Sequence, residues 1–113
     1  ELTITFSSPT MSPKCPEESK YKLVEKIGEI FQHKKKNNET VAGQKIISIL
    51  TVNGVRIHLE DGSWGLIRAS SNSPNLVVVC ESTSSEERMK EIFNDLNNEL
   101  MKFNEIGEYD QKI

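Results

Sequence analysis

The 113-residue sequence predicts an α+β fold, a two-layer sandwich in which two helices cover one face of a mostly antiparallel sheet. Two segments carry apolar residues at helical spacing. Between them lie four short segments rich in Ile, Val and Leu that are separated by turn residues, and a further β-like segment opens the chain. The predicted element order is therefore β-α-β(4)-α, and both apolar helix faces are satisfied if the helices lie on the same side of the sheet.

The first strand and the first helix are predicted on either side of a proline-rich loop. Over residues 1–7, Leu2, Ile4 and Phe6 alternate with polar residues, which is typical of a strand with one buried face. Three prolines within residues 8–16 exclude a sheet strand there, because proline has no N–H to donate. From residue 17 onward the apolar period becomes helical, and it ends before three lysines and two asparagines. The apolar positions of this helix are Leu23, Val24, Ile27, Ile30 and Phe31.

A four-stranded meander follows. Residues 45–52 are rich in Ile and Val, and Asn53-Gly54 is a strong signal for a hairpin turn. Residues 55–59 alternate apolar and polar side chains, as a half-buried strand does. Residues 63–69 and 76–81 predict the last two strands, the second of them buried on nearly both faces.

The last helix has the clearest pattern in the sequence. Ser84 with Glu87 three residues later predicts a capping box at its start. Residues 107–113 have no period, so we expect them to fray, and residues 1–106 are predicted to form a single domain. The apolar stripe of this helix consists of Met89, Ile92, Phe93, Leu96, Leu100 and Phe103.

Composition limits the possible partners. The formal net charge is −3 and the pI is about 5.4, which argues against a nucleic-acid binder or a protein that binds anionic membranes. The sequence holds no apolar run of the roughly 18 residues that a membrane span needs. The chain starts without an initiator Met or a signal-peptide pattern, so we expect it to be a fragment of a longer protein.

The cysteine and histidine content predicts neither disulfides nor a metal site. Cys80 lies in a buried strand and Cys15 in the proline-rich loop, and two such thiols favour a reducing, cytoplasmic compartment. The sequence holds no Cys-x-x-Cys, and His33 and His58 are far apart along the chain. We therefore expect this chain to bind no metal by itself.

The segment from Arg68 to Pro74 is the best candidate for a binding site. It joins two hydrophobic strands, and it combines three serines, one asparagine and an arginine with loop backbone that is not paired in a ladder. A guanidinium can hold two phosphate oxygens in fork geometry, and the other donors can close around the third. Composition alone favours an ordinary turn, because Ser, Asn and Pro are common turn residues.

Three stretches of the sequence carry a resemblance to a known family. They are Asn53 to Ile57, the run Asp61-Gly62-Ser63-Trp64-Gly65-Leu66-Ile67-Arg68-Ala69-Ser70, and Pro74 with Leu76 to Glu81. Together they resemble the C-terminal domain of the α-D-phosphohexomutases, most closely the bacterial phosphomannomutase/phosphoglucomutase branch. The resemblance covers nearly the whole chain and implies the TATA-binding-protein-like β-α-β(4)-α fold.

The resemblance also implies which residues bind the ligand. Arg68 and Ser70 match the Arg and Ser that hold the phosphate of a phosphosugar in this family. Ser71 stands where the family usually has Gly or Asn, and Asn72 stands where it usually has Thr. Both replacements keep a hydrogen-bond donor. The implied substrate-phosphate site is therefore Arg68, Ser70, Ser71 and Asn72, and it recognises mannose or glucose 1- or 6-phosphate.

In the family, the chemistry belongs to other domains of the same chain. A phosphoserine on the first domain exchanges the phosphoryl group, and an Asp cluster on the second binds Mg²⁺. Neither motif occurs in this sequence. The resemblance thus implies a domain with no catalytic residue and no cofactor of its own, inactive in isolation, which clamps the non-reacting phosphate during transfer between the 1- and 6-positions of a hexose phosphate. Mg²⁺ is expected in the full-length isomerase.

Two alternatives stay open at this point. The first is the same domain of a phosphoglucosamine mutase, because the choice of sugar lies largely outside this domain. The second is a non-enzymatic α+β module that uses its open sheet face to bind another protein. The acidic net charge argues against nucleic acid as the partner of such a module.

Overall fold

The computed structural model describes residues 5–113, and it confirms the α+β sandwich. All neighbouring strands pair antiparallel, and the order across the sheet is β1-β6-β5-β4-β3-β2. The predicted first strand is described only in part, because residues 1–4, with Leu2 and Ile4, lie outside the described residues. The elements are β1 (Phe6–Ser7), α1 (Lys20–Lys36), β2 (Thr40–Val41), β3 (Gln44–Leu50), β4 (Val55–Leu59), β5 (Trp64–Ala69), β6 (Leu76–Ser82) and α2 (Glu86–Leu100).

Both helices pack on the same face of the sheet. The register pairs Ile57 on β4 with Gly65 on β5, so Val55, two residues before Ile57, lies on the same face as Gly65. A Cβ atom at Gly28 of α1 would lie 3.2 Å from Val55, and one at Gly65 would lie 2.8 Å from Leu96 of α2. Each helix therefore rests closely on this one face, as the sequence predicted. Neither helix among residues 5–113 is long and apolar enough to cross a bilayer.

The opposite face of the sheet is open and partly polar. The Arg56 guanidinium stacks on the Trp64 ring, 4.2 Å from its centre. The indole nitrogen of Trp64 donates to Glu81 at 3.2 Å, and the Ser7 hydroxyl donates to the other oxygen of Glu81 at 2.8 Å. These contacts connect four strands on the side away from the helices.

The short strand β2 was not predicted. It pairs Thr40 with Lys45 and Val41 with Gln44 around a tight turn, in which Ala42 and Gly43 have positive φ. Helix α2 holds this turn, because Asp95 accepts the Ala42 N–H at 2.6 Å and Arg88 donates to the Ala42 carbonyl. Two residues are too few to show a period, and the stabilising side chains lie about half the chain away.

The cap of α2 differs from the prediction by one residue. Ser85, rather than Ser84, is the N-cap, and its hydroxyl accepts the Arg88 N–H at 3.0 Å. Ser84 instead interacts with Ser82, whose hydroxyl accepts the backbone N–H groups of Ser84 and Ser85 at 3.1 and 3.4 Å. The Thr83 N–H donates to the Ser63 hydroxyl at 3.2 Å. Residues 83–85 form what we call the capping loop, and each of its backbone N–H groups has a partner.

The C-terminal tail packs on the domain, which corrects the expectation that residues 107–113 fray. The Tyr109 ring meets Phe93 edge-on at 5.6 Å between ring centres, and its hydroxyl donates to Asn97 at 2.7 Å. Asp110 accepts the Ser12 N–H at 2.8 Å, and Gly107 donates to the Lys14 carbonyl at 2.7 Å. The tail is held by an aromatic contact and by backbone pairing with the proline-rich loop, neither of which produces a local sequence period.

Both cysteines are free and buried. Cys80 lies in the core as predicted. Cys15 is only 1% exposed although it lies in the loop, whose backbone bonds to the tail at Lys14 and to the Pro74 carbonyl at Cys15 itself. Burial raises the pKa of the Cys15 thiol, and it raises that of Cys80 to about 12, against a weaker opposing effect of a hydrogen bond with Ser8.

Candidate functional site

The predicted binding residues lie at the junction of β5 and β6. We call residues 70–75 the serine-rich loop. Arg68 is the penultimate residue of β5, and its side chain is exposed. Its guanidinium makes one long hydrogen bond, 3.5 Å to the Ala69 carbonyl, and no ion pair with any carboxylate of residues 5–113. Arg68 is thus available for an external anion.

Three consecutive backbone N–H groups of the serine-rich loop have no partner among the described residues. Within the described part of the chain, the N–H groups of Ser71, Asn72 and Ser73 donate to no acceptor. The next three carbonyls are all occupied: that of Ser73 accepts from Asn75 and Lys20, that of Pro74 from Cys15, and that of Asn75 from Ser70. Three consecutive free N–H groups are donors of the kind that anion-binding loops offer.

The hydroxyl groups of the loop interact mainly with one another. Ser70 Oγ lies 2.9 Å from Ser73 Oγ and 3.3 Å from Asn72 Oδ1. Ser71 and Asn72 are exposed at the tip, and Ser70 is half-buried. A hydroxyl rotates at little cost, so Ser70 and Ser73 can turn their protons toward a bound oxygen. The structure therefore places Ser70, Ser71 and Asn72 in one small loop.

A groove of about 980 Å³ opens beside this loop. It lies between α1 and the ends of β4 and β5, and both Arg68 and Ser71 line it. Helix α1 contributes the carboxylates of Glu25 and Glu29 to the opposite wall, with His33 further along. Arg68 and the loop tip thus share a cavity large enough for a small phosphorylated molecule.

Gly54 lies closely against Arg68. The β3–β4 turn brings Gly54 against the end of β5, where a Cβ atom would lie 2.6 Å from Arg68 Cβ and 2.8 Å from the Ile67 carbonyl oxygen. The φ angle of Gly54 is +134°, a conformation that other residues rarely adopt. The Asn53-Gly54 pair was predicted as a turn, but its contact with Arg68 follows only from the tertiary structure.

Sequence reasoning missed Lys20. This side chain has no exposed surface, and its Nζ donates to the Ser73 carbonyl at 3.0 Å and pairs with Glu17 at 2.8 Å. A signal existed, because Lys20 stands three, four and seven residues before Leu23, Val24 and Ile27. A lysine on the apolar stripe of a helix is a polar group in a core position and needs a buried partner.

The described residues do not form a metal site. Among residues 5–113, no group of three or more His, Cys, Asp or Glu side chains is arranged to hold a metal ion. The chemistry available at the serine-rich loop is anion binding by N–H, hydroxyl and guanidinium donors.

Comparison with protein families gives one match across most of the domain. Residues 13–99 match the model of the phosphoglucomutase/phosphomannomutase C-terminal domain. The matched range includes α1, the four-stranded meander, the serine-rich loop and nearly all of α2.

Three relatives of known type cover most of this chain. A phosphopentomutase of Thermococcus kodakarensis is 38% identical over 79 residues, which is 70% of this chain and 16% of that protein. A phosphomannomutase/phosphoglucomutase of Pseudomonas aeruginosa is 32% identical over 90 residues, 78% of this chain and 17% of that protein. A probable phosphoglucosamine mutase of Methanothermobacter thermautotrophicus is 31% identical over 74 residues, which is 65% of this chain and 14% of that protein. The chain thus spans about a sixth of the length of the relatives it matches.

A solved structure shows the same fold. It is the crystal structure of a phosphoglucomutase/phosphomannomutase family protein from Burkholderia thailandensis, similar with a TM-score of 0.61 at 22% sequence identity. The match covers 88% of this chain and 18% of the other. At this identity the similarity supports the fold.

Proposed function

This chain belongs to the phosphoglucomutase/phosphomannomutase family as its C-terminal domain, and from that premise we propose that the serine-rich loop binds the phosphate of a sugar phosphate. The observation that carries the proposal is the row of free N–H groups beside Arg68. Ser71, Asn72 and Ser73 have free N–H groups among the described residues, next to an arginine that no described carboxylate neutralises. A tetrahedral dianion can accept from all of these donors at once.

Each predicted residue has a distinct role in this proposal. Arg68 provides the charge and binds two phosphate oxygens in fork geometry. The N–H groups of Ser71 and Asn72 bind along the loop tip, and the hydroxyl of Ser70 donates from its base. The groove that Arg68 and Ser71 line receives part of the sugar. The loop thereby holds one end of the substrate in a fixed position.

The proposed mechanistic role is the one that the family resemblance implies. The phosphate held by hydrogen bonds and charge in this domain is the non-reacting one, and the other end of the sugar reacts on another domain of the same chain. Binding energy from a non-reacting group can position the reacting one, which raises the rate of transfer. We propose that the parent is an isomerase of carbohydrate metabolism that moves phosphate between the 1- and 6-positions of mannose or glucose, with Mg²⁺ bound outside this domain.

The identity of the sugar is a more specific part of the proposal. The relatives are named for mannose or glucose, pentose and glucosamine substrates, yet all of them match this one domain. This pattern supports a domain that recognises the phosphate that such substrates share. Phosphoglucosamine mutase is the second candidate for the parent. Two free, buried thiols are consistent with a cytoplasmic enzyme.

An amide-shift titration of the 113-residue chain tests the phosphate site. We expect inorganic phosphate and glucose 6-phosphate to shift the amide signals of Ser71, Asn72 and Ser73, with a Kd near the millimolar range, about −4 kcal/mol. Arg68→Ala should weaken binding at least about tenfold, because it removes charge-assisted hydrogen bonds. Lys90→Ala removes the same charge from an exposed position of α2 and should leave the Kd unchanged.

Two results would contradict the proposal. One is a serine-rich loop whose signals stay fixed at phosphate concentrations far above the millimolar range. The other is an equal effect of Arg68→Ala and Lys90→Ala, which would show that only the overall charge attracts phosphate. Shifts confined to the open sheet face on addition of a protein partner would favour the interaction module instead.

A further inference from the structure

The burial of Lys20 is not explained by the stability of the core. Its ammonium group is shielded from water, and its counter-ion Glu17 is 62% exposed. Removing an ammonium from water costs free energy that pairing and hydrogen bonding must offset. Replacement of a buried ion pair by well-packed apolar side chains is often neutral or stabilising. A lysine at this position therefore needs another reason, and its contacts provide one.

Lys20 acts on the carbonyl that ends the row of free N–H groups. Its Nζ donates to the Ser73 oxygen from the protein interior, and the same oxygen accepts the Asn75 N–H at 2.8 Å. Two donors on one carbonyl orient the peptide group between Ser73 and Pro74. The Ser73 hydroxyl, in turn, lies 2.9 Å from Ser70 Oγ. Lys20 thus contacts Ser73, and Ser73 contacts the predicted phosphate ligand Ser70.

We infer that Lys20 is a positioning residue that holds the serine-rich loop open for an anion, an inference that rests on the proposed function. By binding the Ser73 carbonyl from inside, Lys20 keeps that oxygen away from the outer side of the loop, where it would repel a phosphate. Its charge also acts on the anion from behind the loop. This interaction passes through protein, which screens it less than water would. Glu17 is solvated and offsets that charge only in part.

Three variants of the 113-residue chain test this inference, with inorganic phosphate as the probe. Lys20→Met removes the charge and the donor but keeps an unbranched side chain. Lys34→Met is the matched control, because it makes the same substitution on the same helix at another paired lysine, 3.3 Å from Glu99. Glu17→Gln removes the counter-ion and keeps the Lys20 bond to Ser73. For each variant the Kd for phosphate, the loop amide shifts without phosphate and the urea unfolding midpoint are measured.

The expected pattern separates positioning from mere stabilisation. Lys20→Met should raise the Kd for phosphate at least about tenfold, because the Ser73 carbonyl loses the donor that holds it inward and the loop loses the charge behind it. It should also shift the signals of Ser71 to Ser73 before phosphate is added. Lys34→Met should change the Kd less than about twofold, whatever it does to the unfolding midpoint. Glu17→Gln should leave phosphate binding equally tight or make it tighter. If the ion pair were purely structural, removal of either partner would instead weaken the binding of phosphate.

The outcomes distinguish failure of this inference from failure of the proposed function. If the wild-type loop does not respond to phosphate, the proposed function fails, and this inference fails with it. If the wild-type loop responds and Lys20→Met binds phosphate equally well, only the role of Lys20 is overturned. If Lys20→Met does not fold, Glu17→Gln decides, because a tenfold weaker affinity in that variant would show that the ion pair is structural.

Discussion

The two loops at the ends of β6 have similar compositions and opposite properties. The serine-rich loop before the strand contains three serines and two asparagines, and the capping loop after it is Thr83-Ser84-Ser85. In the capping loop every backbone N–H is bound by a serine hydroxyl. In the serine-rich loop, three consecutive N–H groups have no acceptor within residues 5–113. One loop has its donors engaged by the fold, and the other has three donors without an acceptor among residues 5–113.

The difference depends on where the neighbouring hydroxyls lie. Ser63 and Ser82 are fully buried, and their side chains point at the capping loop, so its N–H groups are satisfied internally. Ser70 and Ser73 instead bind each other and leave the adjacent N–H groups open. A loop rich in serine can therefore have its N–H groups satisfied by the fold or left without acceptors, and composition does not distinguish the two.

Alkaline pH should have the largest effect on stability, because it unfolds β6, the strand that joins the two loops. Burial raises the pKa of Cys80 on β6 to about 12, above its ordinary value of 9.0, and burial also raises the pKa of Tyr109. Groups whose pKa is higher in the folded state stabilise it fully below the unfolded value. We therefore expect the free energy of unfolding to fall as the pH rises from about 9 toward 12.

Urea unfolding at a series of alkaline pH values measures this loss, and the signals of carbon-bound protons, which do not exchange with water, report on each loop. Cys80→Ala is the control, since it lacks the titrating thiol and should show a shallower pH dependence. Both loops should lose their signals at the same pH. A serine-rich loop that disorders well before the capping loop would show that the two are not joined by one cooperative strand.

Ser82→Ala should have the next largest effect, on stability alone. This substitution leaves the N–H groups of Ser84 and Ser85 without the hydroxyl that they share. An unsatisfied donor in a partly buried site costs about 1–3 kcal/mol. Urea unfolding should show that loss, while the Kd for phosphate should stay as in the wild type. A weaker Kd would mean that the two ends of β6 are not independent.

Ser70→Ala should have the smallest effect on stability and a clear effect on binding. Its hydroxyl bonds only within the serine-rich loop, so the free energy of unfolding should change by less than about 0.5 kcal/mol. The loss of one neutral hydrogen bond to phosphate, about 1 kcal/mol, should raise the Kd about fivefold. Parallel titrations and urea melts with Ser82→Ala test the contrast. If Ser70→Ala destabilises the chain and leaves the Kd unchanged, the serine-rich loop is structural too.

Local pattern was sufficient for most of the fold. The two apolar helical stripes and the turn at Asn53-Gly54 predicted α1, α2 and the meander to within a few residues of their observed ends. These features depend on residues close together in the chain, because helix and strand periods repeat every few positions. The same pattern located the loop that joins β5 and β6. Resemblance then added the family and the four predicted ligands Arg68, Ser70, Ser71 and Asn72, which stay predictions until phosphate is titrated.

The sequence by itself determined which segments become helices and strands, and which loop carries an arginine among small donors. Only the tertiary structure decided which N–H groups of that loop stay free, that Gly54 presses against Arg68, and that Lys20 lies beneath Ser73. It also decided that the C-terminal tail packs on Phe93. The physical reason is the distance along the chain: Lys20 and Ser73 are 53 positions apart, and no local period records a hydrogen bond between them.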